Sequence, residues 1–236
     1  MATEKFAIQV CGWLIGIPLE ILLIHALFRG PYRRYPMVFF YVVASFVTTL
    51  VEVPFNTEAW LSGNAEVLRR AAKIYWIDDW ILQFVVFAMV LSLIDQAILH
   101  SPWRRSMRTG LAAGAVLFAS ISFLVHYHPA PVKFGMWMTP WTRDLSVCAT
   151  ILDLALWMIL IASRKKDGRL LLISGALGLR FTGDAIGEAV LSLSTPRMME
   201  ALALSGSVIV MLADLACLYF WWQTFRHPEN EVSRGG

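Results

Sequence analysis

The sequence predicts an all-α fold, a single polytopic bundle of seven membrane-spanning helices. Three observations lead there. The 236 residues are 58% hydrophobic and only 16% charged, too apolar for an ordinary soluble domain. The apolar residues gather into seven blocks, each near the ~17–25 residues a helix needs to cross a bilayer. Lys and Arg concentrate in alternate connections between those blocks.

The first block, 6–28, reads as a span rather than a signal peptide. Its leading charges are only Glu4 and Lys5, its apolar run is too long, and Arg29, Arg33 and Arg34 follow as a stop signal. The second, 36–55, carries Ser45, Thr48, Thr49 and Glu52 at i, i+3, i+4 and i+7, one polar stripe. The third, 74–99, places Asp79 and Gln83 on a shared face. The fourth, 108–126, is the plainest. It carries "GLAAG" at 110–114, a GxxxG that admits close approach of another helix. The fifth, 144–163, contains Asp153. The sixth, 170–193, contains "GLRFTGDAIGEAV" at 178–190, with a second GxxxG interleaved among Arg180, Asp184 and Glu188. The seventh, 199–223, carries "LSGS" at 204–207, suited to close packing, and then Asp214. Only the connections 56–73 and 127–143 have any size. Residues 1–225 form one membrane domain, and 226–236 a polar tail too short to fold alone.

Charge placement sets an orientation. The connections 29–35, 100–108 and 164–169 are shorter and richer in Lys and Arg than the alternate set. The positive-inside rule assigns them to the cytoplasm, with the N-terminus outside and the C-terminus cytoplasmic. Tyr32, Tyr35, Trp103, Trp221 and Trp222 then fall near the inner face. Trp60, Tyr75, Trp76, Tyr127, Trp137 and Trp141 fall near the outer one, as an aromatic belt. The expected location is the cell membrane, as a multi-pass protein in contact with the lipid bilayer.

Ionisable groups in mid-membrane each cost at least ~2.5–3.5 kcal/mol on insertion scales, so they are rare. This chain has many. On the sixth segment Arg180, Asp184 and Glu188 form a slowly rotating stripe that lipid cannot solvate, so it faces the bundle. Depth counted at ~1.5 Å per residue puts Glu52, Asp78, Asp79 and Glu188 in the outer third. It puts Arg180 and Asp153 near the middle, and Glu20, Asp95 and Asp214 in the inner third. One arginine cannot neutralise so many carboxylates, which must be protonated, wetted or paired with a bound cation. The expected picture is a cavity open to the outside, with Arg180 at its floor and Asp184 and Glu188 on its wall. Asp184 and Asp153 are the expected partners of Arg180. Asp78 and Asp95, near segment ends, can reach headgroups or water, as can Glu52. The same network could also serve only as glue between helices.

Several chemistries are disfavoured. Seven spans with the N-terminus outside resemble the topology of rhodopsins and seven-helix receptors, and "YWIDDW" at 75–80 is similar to the Asp-Trp of a microbial rhodopsin's third helix. A retinal Schiff base needs a lysine in the seventh helix, and 199–223 has none, so no cofactor is expected. Cys11, Cys148 and Cys217 show neither disulfide nor thiolate-metal spacing. "HYH" at 126–128 with "MWM" at 136–138 could hold copper by ligand type, but reads better as an interfacial loop, and no metal is expected. No Ser–His pair lies at one depth for a serine protease. An aspartyl pair, Asp153 with Asp184 or Glu20 with Asp214, is conceivable, although no local motif supports cleavage.

The leading expectation is a binding or transport protein for a small polar or cationic solute, coupled to protons or cations. Its site would comprise Arg180, Asp184, Glu188, Asp153, Glu52, Asp79, Glu20 and Asp214. The alternative is a non-catalytic sensor or accessory subunit that docks a separate cytoplasmic or membrane partner through its basic loops. An intramembrane enzyme is the weaker alternative, and no nucleic-acid partner is expected.

Overall fold

The computed structural model describes residues 2–62, 64–99, 104–127, 135–162, 167–192 and 199–226. These residues form seven α-helices and no strand. They are α1 (Ala2–Phe28), α2 (Pro36–Ser62), α3 (Ala65–Ala97), α4 (Arg104–His126), α5 (Gly135–Ala162), α6 (Gly168–Ser192) and α7 (Met199–Arg226). All seven are long and apolar enough to cross a membrane.

Local chemistry explains the helix ends. Between α1 and α2 the chain reverses at Gly30, whose φ of 144° lies in a region that L side chains avoid. A single 3-10 turn, Pro31–Arg33, follows, and Pro36 opens α2 where its missing N–H costs nothing. Asn64 caps α3 by accepting from the Glu66 N–H at 2.9 Å, and Arg70 pairs with Glu66 one turn on at 2.7 Å. Asp167 accepts from the Leu170 N–H at 3.3 Å and from Arg34 at 2.8 Å, joining the start of α6 to the α1–α2 turn.

The expected connection 56–73 is almost absent. α2 continues to Ser62 and α3 starts at Ala65. Helix and apolar block are different quantities: hydrocarbon ends where polar residues begin, whereas the backbone ladder continues through capped and ion-paired polar turns. α5 starts at Gly135, inside the expected 127–143 connection.

Outward faces carry exposed Leu14, Ile15, Phe40, Val116, Leu124 and Met158. Such a surface is a liability in water and the normal face in lipid. The buried apolar core lies toward the end of the bundle that carries the C-terminus. It unites Leu23 and Leu27, Val38 and Val42, Met89 and Leu93, Ile173 and Leu177, and Trp221 and Phe225. The Trp221 indole N–H donates to the Ile173 carbonyl at 3.0 Å, so its polar edge is satisfied inside this core. That end is sealed.

α6 packs most extensively on α7. A Cβ at Gly183 would collide with Ala213, and one at Gly187 with Val210 and, at 3.1 Å, the Gly206 carbonyl. The GxxxG of the sixth segment and Gly206 of "LSGS" therefore meet at one seam. The other GxxxG does not serve this purpose: a Cβ at Gly110 or Gly114 would meet nothing within 4 Å. α4 instead joins α5 through polar contacts. Asp144 receives Ser122 at 2.7 Å and lies 3.0 Å from His126 Nε2, and the Trp141 N–H donates to the Ala119 carbonyl.

Gly183→Val and Gly187→Val should each force α6 and α7 apart. The expected result is a melting temperature several degrees below wild type in detergent, at the ~1–3 kcal/mol typical of overpacking. Gly114→Val should leave the melting temperature unchanged, and a comparable loss there would contradict the assigned seam.

Candidate functional site

A cavity of about 610 Å³ lies between α1, α2, α3 and α7, toward the end of the bundle opposite the sealed core. Each helix supplies one face. Gly12, Gly16 and Glu20 recur every four residues on α1. Ser45, Thr48, Thr49 and Glu52 form the stripe on α2. Tyr75, Asp78, Asp79 and Leu82 follow the same i, i+3, i+4, i+7 pattern on α3, and Ser207, Val210, Met211 and Asp214 repeat it on α7. Among the described residues, only Arg180 reaches in from α6. Five carboxyl side chains and one guanidinium thus line the cavity among the described residues.

The guanidinium sits at the deep end. Arg180 Nε lies 2.7 Å from Asp214 Oδ1 and 3.9 Å from Asp184 Oδ2. The Nε–H is not aligned for a hydrogen bond, so the closer contact is an ion pair rather than a directed bond. Arg180 Nη1 donates to the Tyr41 hydroxyl, and the guanidinium lies 5.3 Å from the centre of that ring. Tyr41 in turn packs edge-on against Trp221 at 5.7 Å. The cavity floor is therefore continuous with the sealed core. Asp214 is 41% exposed against 16% for Arg180, so the carboxylate faces the cavity and the guanidinium is set behind it.

Glu20 lies on the α1 wall. Ser45 donates to its Oε1 at 2.6 Å, and Asp214 is within electrostatic reach. The residue is only 3% exposed, yet Oε2 has no hydrogen-bond partner. Thr48 and Thr49 return their hydroxyls to the Ser45 carbonyl at 2.8 and 2.9 Å.

Toward the opposite end, Glu52 on α2 and Asp78 on α3 face each other across the cavity as neighbouring carboxyl groups, with Asp79 beside them. At the α1–α2 edge Phe6 stacks on Trp60 at 4.4 Å and meets Trp13 edge-on at 6.3 Å. Among the described residues no group of three His, Cys, Asp or Glu side chains is arranged to hold a metal ion.

The sequence-derived candidates separate into groups. Arg180, Asp214, Glu20, Glu52 and Asp79 line the cavity. Asp184 flanks Arg180 from α6 but is not part of the lining. Glu188 belongs to α6, and its side chain lies outside the described residues, as do His128 of "HYH" and the side chains of "MWM". Asp153 does not meet Arg180. Its Oδ1 receives Ser174 at 2.7 Å in a buried α5–α6 contact, which also separates it from Asp184 as an acid pair. Counted depth misplaced Asp214, because α7 runs to Arg226 and its mid-point, not its inner third, carries the acid. The wall expected from α6 is built by α1, α2, α3 and α7 instead.

Sequence reasoning missed Asp78, Tyr41 and Tyr75. Asp78 was set near a segment end, yet α3 begins at Ala65. That start puts Asp78 about 20 Å along the helix at ~1.5 Å per residue. Its spacing from Tyr75 and Leu82 was the available signal.

Asp214→Asn should destabilise the protein more than Asp184→Asn, because it removes the nearer counter-charge of a buried guanidinium. The expected loss is toward the lower end of about 3–5 kcal/mol, since Asp214 faces the cavity. Unfolding in mixed micelles measures it, and equal losses would show that neither acid is preferred.

Compared with protein-family models, with curated proteins and with solved structures, the chain matches none, so its function has to be read from the site itself.

Proposed function

We propose that this membrane protein binds a small solute in the cavity and moves it across the bilayer in exchange for protons or cations. One observation carries this reading. A cavity of about 610 Å³ reaches from one end of the bundle to the Arg180–Asp214 pair, and Glu20, Glu52 and Asp78 line it without a second basic residue among the described ones. A purely structural polar network would close around its charges. This one leaves carboxyl groups facing open space, at a volume suited to a small-molecule ligand.

The parts have distinct uses. Glu52 and Asp78, neighbouring carboxyls on the cavity wall, are placed to take up and release a proton to water entering the cavity, as paired carboxyls do. The Arg180–Asp214 pair, at the floor, is the boundary that a transported species must pass. Its counter-ion can be shared between Asp214 on α7 and Asp184 on α6, so a small shift of α7 against α6 would alter which acid holds the arginine. With the orientation that the basic connections imply, the cavity opens outward.

Reconstitution in liposomes with an imposed pH gradient tests this, with sodium or potassium as the counter-ion. The wild-type protein should dissipate the gradient faster than protein-free vesicles. Glu52→Gln, checked for folding by its melting profile, should slow that rate about ten-fold or more, a large effect of the kind expected when a proton carrier is removed. A wild-type rate equal to that of empty vesicles would sink the transport reading.

A further inference from the structure

We propose that the ligand of this cavity is an amphipathic organic cation, and that Glu20 is the acid that receives its charge; this rests on the solute-binding reading above. Three features of the cavity point to that class rather than to an anion or a metal ion.

The first is the state of the one basic residue. Arg180 could be taken for an anion receptor, but its charge is already met. Asp214 lies 2.7 Å and Asp184 3.9 Å from Nε, and the Tyr41 hydroxyl accepts from Nη1. An incoming anion would have to displace carboxylates from it, and would face Glu20 and Asp214 while doing so. Opposite charge is favoured and like charge is rejected at such a wall.

The second is the unsatisfied atom. Glu20 is 3% exposed and lines the cavity, Ser45 occupies its Oε1, and none of the described residues bonds its Oε2. A buried polar atom left without a partner costs free energy, and native proteins rarely tolerate one without a reason. A ligand cation seated against α1 supplies that partner. Glu20 lies within the Phe6–Phe28 span, where hydrocarbon offers no such partner.

The third is the character of the remaining wall. Trp13, Tyr75, Leu82 and Met211 give aromatic and apolar surface beside the acids. Aromatic faces attract organic cations and also accept their hydrocarbon parts. A bare metal ion needs several oxygen or nitrogen ligands converging on one point, and no such group exists among the described residues. A volume of about 610 Å³ suits a molecule, not an ion.

Tetraphenylphosphonium and tetraphenylborate test the proposal, being matched in shape and opposite in charge. Each is titrated into the full-length protein in nanodiscs, with protein-free nanodiscs as the baseline. The phosphonium should bind saturably and the borate should not. Glu20→Gln should weaken phosphonium binding about ten-fold or more, the scale of one charge lost in a partly shielded site. Ser45→Ala, which keeps the charge, should weaken it far less. Equal saturable binding of both ions would overturn the cation assignment while leaving a solute-binding cavity. Saturable phosphonium binding unchanged in Glu20→Gln would overturn the role of Glu20. Binding of neither ion would overturn the inference and remove support from the solute-binding reading with it. The comparison of the two ions on wild-type protein needs no variant, so the proposal stays testable if Glu20→Gln fails to fold.

Discussion

The structure depends on holding one guanidinium inside a lipid-bound bundle. Arg180 is nearly enclosed, and hydrocarbon offers it nothing, so its counter-charges must come from neighbouring helices. Asp214 on α7 supplies the nearer one, Asp184 on its own helix the farther, and Tyr41 on α2 an acceptor. Those contacts fix the rotation of α6 and α7 and bring α2 against both. The close seam between α6 and α7 follows from the same requirement. Asp214 can reach Arg180 only if the two backbones approach closely, and Gly183 and Gly187 remove the side chains that would hold them apart.

That contact divides the bundle in two. On one side lie Trp221, Phe225, Leu177 and Leu93, packed without room for water. On the other, small residues on α1 and hydroxyls on α2 leave space, and carboxyl groups face it. Trp221 belongs to both halves, since it packs in the core and lines the cavity floor. A species that crossed the membrane through this bundle would have to move past the arginine and then open the packed half. The interior is therefore asymmetric by construction, and any alternation between open ends must repack the core around Trp221 rather than the walls of the cavity.

The number of helices was legible in the sequence because hydrocarbon thickness imposes a length on every span. Helix ends were less so, since apolar blocks mark where lipid stops and not where the backbone stops. The extra turns before Asp78 are polar and capped by Asn64, invisible to hydropathy. Glu20, Glu52, Asp79, Arg180 and Asp214 could be recognised singly, because each is an ionisable residue inside an apolar block. Which of them meet could not. Counted depth favoured Asp153 over Asp214 as a partner of Arg180, whereas the rotation of α5 and α7 decides which acid meets it. Ser174 takes Asp153 out of contention, and nothing in its local sequence announces that. The stripe on α2 was the most informative single pattern, since all four of its residues reach the cavity wall.

The sign of the cavity follows from the same accounting. A lone arginine in a membrane bundle invites the reading of an anion site, and that reading holds only while the arginine has charge to spare. Here Asp214 and Asp184 together carry more negative charge than Arg180 carries positive, before Glu20 is considered. The deep end is thus acidic even though a guanidinium stands there. The role left to Arg180 is to hold α2, α6 and α7 in register while Asp214 faces the cavity. A cation arriving from the open end would then pass Glu52 and Asp78, reach Glu20 and Asp214, and meet the guanidinium last, with the positive charge behind them limiting how deep it can settle.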